Sequence, residues 1–288
     1  MPDSAQLRRI RRDFRRANNR SIKQALSTTA DSRRRILNLM RDFDASIAGI
    51  VAGGEISGEF LASLRASIRN EVLDLEQELF GIISTARSNV TILGETALGS
   101  SLATIPGLGG IGIGIGGVSP DLLSIANEFS ADLIGLARGG LTAEILKGIN
   151  RELSLGVLGG RSNADVIRRI ATLLGPGKSF RNRAIQIVRT DGLRMFSMAN
   201  QASLERARES LPELRKAWIW SRISRIDHAV AEEEFGEDNP IPINDPFIVA
   251  GEALMYPRDA AGSAWNVINC GCFHVGTFET LPEMALVA

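Results

Sequence analysis

Leu61, Leu64, Ile68, Val72, Leu75, Leu79 and Ile82 recur at steps of three and four residues. That spacing puts them on one face of an α-helix and defines a sustained amphipathic stripe over residues 57–86. A stripe of this width must bury itself against another helix, because helices in proteins draw most of their stability from packing. The same spacing runs through Leu7, Ile10 and Phe14, and again through Ile36, Leu39, Met40, Phe43, Ile47 and Ile50, until Gly53-Gly54 interrupts it. The chain is therefore expected to begin with long helices packed as a hairpin or against a second copy. Aromatic residues make up only 5% of the chain against 44% hydrophobic, so the apolar content is mostly aliphatic, which also favours helices.

Residues 93–118 have a different character. Gly109-Gly110-Ile111-Gly112-Ile113-Gly114-Ile115-Gly116-Gly117 alternates glycine with isoleucine, and each glycine costs a helix about 1 kcal/mol relative to alanine. The run is also shorter than the roughly 20 residues that span a bilayer. It reads as a linker, with a sharper alternative of a segment packing on membrane or a neighbouring subunit. Its Gly-x-Gly patterns lack a Lys-Ser/Thr ending, which excludes a phosphate loop.

Further helices are expected from Ser119-Pro120-Asp121 to 138, from Thr142 to Gly156, from Ser162 to Leu174 and from Ser179 to Ser210. Beyond Pro212 the pattern shortens. Trp218 and Trp220 alternate as in a strand, 253–256 and 267–275 are further candidate strands, and Asp227 to Phe235 suits one or two helical turns. Pro240, Pro242 and Pro246 predict an extended loop. The expected fold is predominantly α-helical with a small C-terminal α+β domain. The expected division is 1–92 (helical, with a basic arm), 93–118 (linker) and 119–288, the last comprising helices over 119–210 and a small α+β part over 211–288.

A net charge of zero hides an asymmetry. Residues 1–40 carry eleven Arg and Lys against three Asp, whereas 227–288 carry eleven acids against Arg258 alone. Arg8, Arg9, Arg11, Arg12, Arg15 and Arg16 read either as a solvated helix face with a fraying end or as a contact for DNA or an acidic protein surface. DNA contact of this kind would be non-specific and salt-sensitive. The first residues have no apolar core of a signal peptide, and two cysteines suit a reducing cytosol rather than a disulfide scaffold.

Both histidines, both cysteines, all three tryptophans and the only tyrosine lie between 218 and 274. His228, Cys270, Cys272 and His274 are the only soft-ligand set. In a strand, residues 270, 272 and 274 share a face, with His228 arriving from a neighbouring element. That admits a structural zinc site. Zinc sites usually use Cys-x-x-Cys turns, however, so the preferred expectation is a metal-free cluster in which the cysteines act as compact apolar residues. A thiol or metal-dependent hydrolase is the enzymatic alternative, with Cys270 or Cys272 as nucleophile, His228 as base and Asp227 as orienter. Asp227 adjoins His228 and is badly placed for that role, so no catalytic residue is expected. Trp218, Phe247, Trp265 and the cysteine segment are expected to form one core.

The ordered elements Arg189-Thr190, Asn200, Trp218, Arg225, His228, Asp245-Pro246-Phe247, Gly251, Tyr256-Pro257, Asp259 and Ile268-Asn269-Cys270-Gly271-Cys272 resemble the C-terminal domain of phage Mu F-like minor head proteins, the phage head morphogenesis family. The resemblance covers about 140–288; the family usually closes on Asn-Cys-Arg-Cys, so Gly271 departs from it. It implies a virion protein made in the host cytoplasm and located inside the head or near the portal. Its partners would be the portal and other head proteins, with a role in head assembly and DNA packaging or ejection. It also implies that Arg189-Thr190 anchors its helix to the Cys-x-Cys segment, through Asp191 or backbone carbonyls. An ejected protein that touches DNA or membrane is the alternative.

Overall fold

The computed structural model describes residues 4–108, 120, 124, 128, 131–135, 139–174, 179–222 and 224–278. Helices described over their full length come first: α1 (Ser4–Gly53), α2 (Leu61–Leu102), α3 (Leu141–Leu158), α4 (Asn163–Leu174) and α5 (Ser179–Arg208). A short-range region follows: β1 (Leu214–Ile219), α6 (Ile226–Phe235), β2 (Ile241–Pro242), β3 (Phe247–Val249), β4 (Glu252–Leu254), α7 (Ala264–Val267) and β5 (Phe273–Phe278). The chain is thus mostly helical with a small antiparallel sheet region near its C-terminal end. Among the described residues no helix is long and apolar enough to cross a membrane. The Gly-Ile run over 109–117 lies outside the described residues.

The boundaries differ from the sequence expectation in instructive ways. Helix α2 continues through Gly94 and Gly99 to Leu102, so residues 93–102 are helix and not linker. Gly94 is there because α5 comes too close for a side chain: a Cβ at that position would collide with the Phe196 carbonyl oxygen. Thr142 does not cap α3, whose N-cap is Gly140; its hydroxyl lies 2.6 Å from the Ile134 carbonyl oxygen and 2.9 Å from Glu76 Oε2. Ser162 does cap α4, its Oγ accepting the Asp165 N–H at 3.2 Å.

Contacts divide the chain into two compact units, each assembled from segments distant in sequence. These units cut across the sequence-order division at 92 and 118, because helices as long as α1 and α2 contribute to both. One unit comprises Ala30–Thr85 and Asp121–Arg189. The predicted stripe is its core: Ile36, Met40, Ile47, Ile68, Val72 and Leu75 are buried, as are Ile149, Leu153, Val166 and Ile170. The Asn163 amide closes the end of α1 by donating to the Val51 and Gly54 carbonyls at 3.0 and 2.7 Å.

The second unit comprises Met1–Thr29, Ala86–Pro120 and Thr190–Ala288 and contains every β-strand of the described residues. Its sheet has the order β2-β1-β5, all antiparallel, with Trp218 opposite His274. Strands β3 and β4 form a separate hairpin, turned by Ala250 and Gly251 at φ 50° and 80°. Positive φ at both central residues matches the right-handed twist of the strands. The proline-rich loop expectation missed β3, because Pro246 stands just outside the paired residues, while β4 overlaps the strand expected over 253–256.

The N-terminal part of α1 belongs to this unit and is not a frayed arm. Ile10 and Phe14 are buried in a cluster with Leu98, Leu204, Leu214 and Phe278. Phe14 packs on Phe278 with ring centroids 5.8 Å apart, and Asn18 donates its amide to the Gly276 carbonyl at 3.3 Å. Arg8, Arg9, Arg11, Arg12, Arg15 and Arg16 are exposed. Asp13 lies within ion-pair range of Arg9, Arg12 and Arg16, and Arg15 meets Glu237 at 2.6 Å.

Candidate functional site: a buried histidine and two cysteines

The elements around β5 bring three soft donors together. Helix α6 begins at Ile226, so His228 stands in its first turn. Cys270 and Cys272 belong to the segment between α7 and β5. This segment was expected to be strand throughout. Instead it turns at Asn269, whose φ of 59° is a left-handed conformation that asparagine tolerates better than most side chains. His228 Nδ1 lies 3.4 Å from Cys270 Sγ and 3.5 Å from Cys272 Sγ, and the three donor atoms lie within 4.8 Å of one another.

His274 does not join them. It sits in β5 itself, beside Asn200, with its ring stacked 6.4 Å from Tyr256. Period-two alternation places 270, 272 and 274 together only in a continuous strand, and the chain becomes strand only at Phe273. Burial holds the His274 imidazole well below its ordinary range, and the Lys216 and Arg258 charges add to the effect.

Three groups fix the orientation of the cluster. The His228 Nε2 lies 3.3 Å from Asn266 Oδ1, and the Asn266 amide nitrogen donates to the Val249 carbonyl at 3.2 Å. That second bond settles which end of the amide faces His228. Nε2 is thus the donor, and Nδ1 presents its lone pair to the sulfurs. Arg258, fully buried, donates Nη1 to the carbonyls of Cys270 and Cys272 at 3.0 and 2.6 Å, and Nη2 to Ser197 Oγ at 2.7 Å. Its own backbone sits at φ 68°, and Arg194 Nε donates to its carbonyl at 3.0 Å. The Gly271 N–H donates to Ser224 Oγ at 2.8 Å.

The two thiols are driven apart electrostatically. The hydrogen bond from Cys272 lowers Cys270 and outweighs burial, with the nearby His228 and Arg258 helping; the same hydrogen bond and burial push Cys272 up. Burial pulls His228 down, but the hydrogen bond and charge of Cys270, with Asn266, leave it above its ordinary value. Sulfur, Nδ1, Nε2 and an amide oxygen then stand in the order nucleophile, base, orienter, with Asn266 in the place expected of Asp227. Yet Cys270, Cys272 and His228 are each 0% exposed.

The other signature residues surround this cluster structurally. Trp218 packs edge-on to His228 and Phe247, with centroids 5.8 and 5.2 Å away. Trp218, Ala231, Phe247, Val249, Leu254, Cys270 and Cys272 form one core cluster. Trp265, expected in that core, is 61% exposed, with the Arg225 guanidinium 4.4 Å above its ring. Thr190 ties α5 to the cysteine segment, its Oγ1 accepting the Asn269 N–H at 3.3 Å, whereas Asp191 forms a buried ion pair with Arg87. Of the expected Arg189-Thr190 anchor, Thr190 makes the tie, to a backbone N–H; Asp191 is engaged by Arg87, and the cysteine carbonyls go to Arg258. Pro257 is buried beside Arg258 in sequence. Asn200 donates to the His274 carbonyl at 3.0 Å.

Arg258, Asn266 and Lys216 were missed in the sequence. A lone arginine among eleven acids was the available signal for the first; the other two have none. Lys216 is fully buried on β1, with Nζ donating to the Met255 carbonyl at 2.7 Å and standing 4.8 Å over the Phe247 ring. Burial lowers its pKa from 10.5 to about 8, against the pull of Glu205, Asp245 and Asp259. Between those values the unfolded chain keeps a proton that the folded chain has released. The residue therefore costs stability below about 8, and the cost fades as the pH rises toward 10.5. Relative to the native chain, Lys216→Met should lose up to about 3 kcal/mol of its advantage across that window. Urea melts of both proteins at several pH values measure this, and a pH-independent difference would refute a desolvated ammonium.

Compared with known proteins, the chain matches no family model, no curated sequence and no solved structure.

Proposed function

We propose that the chain is a minor head protein of a tailed phage or prophage that acts at the portal as a structural component, not as an enzyme. The support is the ordered set of motif elements read in the sequence, and one observation carries it furthest. Thr190, Asn200, Trp218, His228, Phe247, Cys270 and Cys272 of that set, spread over eighty-three residue numbers, are buried, as residues that define an architecture are, whereas Asp245, Gly251 and Asn269 are exposed turn positions. The complete burial of the only thiol–imidazole group argues in the same direction, since a nucleophile must be reached.

Co-expression of the full chain with its cognate portal tests this reading. The two should co-elute from size exclusion at low salt, and clean separation would count heavily against it. The exposed arginines of α1 favour a second element of the same reading, a contact with DNA or an acidic face of the partner. Because Ile10, Phe14 and Asn18 are built into the fold, deleting this segment would damage the core. Substituting Arg8 and Arg12 by Glu leaves the buried face intact and is the cleaner probe. Loss of co-elution alone assigns the charge to protein, while loss of salt-sensitive DNA retention alone assigns it to nucleic acid.

A further inference from the structure

We propose that His228 Nδ1, Cys270 Sγ and Cys272 Sγ bind a structural zinc ion. The proposal goes beyond portal association and stands or falls separately from it. Sequence spacing favoured a metal-free cluster because Cys-x-Cys is not the usual zinc turn. The folded positions supply what the spacing lacked.

Distances come first. A tetrahedral zinc with Zn–N of about 2.0–2.1 Å and Zn–S of about 2.3 Å holds nitrogen and sulfur about 3.5 Å apart. Here Nδ1 lies 3.4 and 3.5 Å from the two sulfurs, and the donor set spans up to 4.8 Å, so metal binding draws the sulfurs together to the roughly 3.8 Å that two Zn–S bonds at the tetrahedral angle hold. An imidazole that served only as hydrogen-bond partner or base would need one sulfur; this one is placed almost equally to both.

The surroundings match as well. A metal-bound histidine typically donates its other N–H to an oxygen acceptor, which fixes tautomer and ring direction. His228 Nε2 faces Asn266 Oδ1, and Val249 holds that amide in place. Both cysteine carbonyls are fixed by one arginine fork, so the two sulfurs are positioned by a single rigid group. On binding, both thiols release their protons to solvent, and two thiolates neutralise the dication. Arg258 then remains the buried cation against the cysteine carbonyls and the Phe273 ring. The fourth corner falls to a water or hydroxyl oxygen. Ser224 offers a hydroxyl beside the donor set, one that interacts with Cys272 and accepts the Gly271 N–H. A metal at this place joins α6 to the segment before β5 and adds a link between elements forty-two residues apart.

The test uses the untagged full chain, purified from zinc-supplemented medium. Mass spectrometry should find about one zinc per chain, as expected of a single site. After removal of the metal with a chelator, addition of cobalt(II) should produce a thiolate-to-metal charge-transfer band and tetrahedral d–d bands, which zinc then abolishes. Cys270→Ser and Cys272→Ser should each lose the stoichiometric zinc. A folded native chain with neither zinc nor the cobalt bands overturns the proposal, as does full zinc content in both folded serine variants. If the serine variants do not fold, the cobalt titration of the native chain decides alone. Fast single-site alkylation of Cys270 in an as-purified, metal-free chain would also overturn it and would assign the cluster to a thiolate–imidazolium pair.

Discussion

Trp218→Ala should lower the unfolding free energy by about 3–5 kcal/mol, the usual result of truncating a buried indole. Trp218 is 0% exposed, packs on the rings of His228 and Phe247, and shares one core cluster with Phe247 and both cysteines. Its removal leaves a cavity between β1, α6 and β3 that the short, proline-flanked elements cannot close. A loss of this size approaches the whole stability of a small domain. Its indole N–H has no hydrogen-bond partner among the described residues. Trp218→Phe should therefore cost clearly less, since it gives up volume but also removes an unpaired donor. Trp265→Ala is the matched control: the ring is mostly exposed and loses one contact with Arg225, so the change should stay under about 1 kcal/mol. Chemical denaturation followed by circular dichroism separates the three, and equal costs for Trp218→Ala and Trp265→Ala would contradict the packing described here.

Arg258→Ala should be comparably damaging, at about 3–5 kcal/mol. The guanidinium is fully buried, and three of its hydrogen bonds hold Cys270, Cys272 and Ser197. Removing it strands two buried carbonyls and releases the segment that carries both sulfurs. Lysine should not rescue the loss, because one ammonium cannot span the fork that reaches two carbonyls and a hydroxyl. The left-handed backbone at this position adds a cost that any non-glycine replacement retains. Hydrogen exchange should show the amides of the 268–278 region opening first in Arg258→Lys. Unchanged protection there would mean that the segment is held by other contacts.

Much of the helical part was legible in the chain. Apolar residues at steps of three and four determined α1 and α2 because a helix repeats every 3.6 residues whatever surrounds it. Ser162 and Gly53-Gly54 announced their boundaries for similarly local reasons: a side-chain oxygen that caps free N–H groups, and glycines that leave a helix readily. The concentration of His, Cys and Trp near the end located the distinctive core without any coordinates. Tertiary structure decided the rest. Residues 93–102 are helical although two glycines oppose it, since Gly94 lets α2 approach α5 and the packing outweighs propensity. Cys270 and Cys272 leave strand geometry because Asn269 turns the backbone, and that took His274 out of the expected set and left His228 as the partner of the sulfurs. The role of Arg258 depends on two carbonyls twelve and fourteen residues away meeting one guanidinium. Local periodicity is written in neighbouring residues; which groups converge across a core depends on how distant segments pack, and no short-range pattern records that.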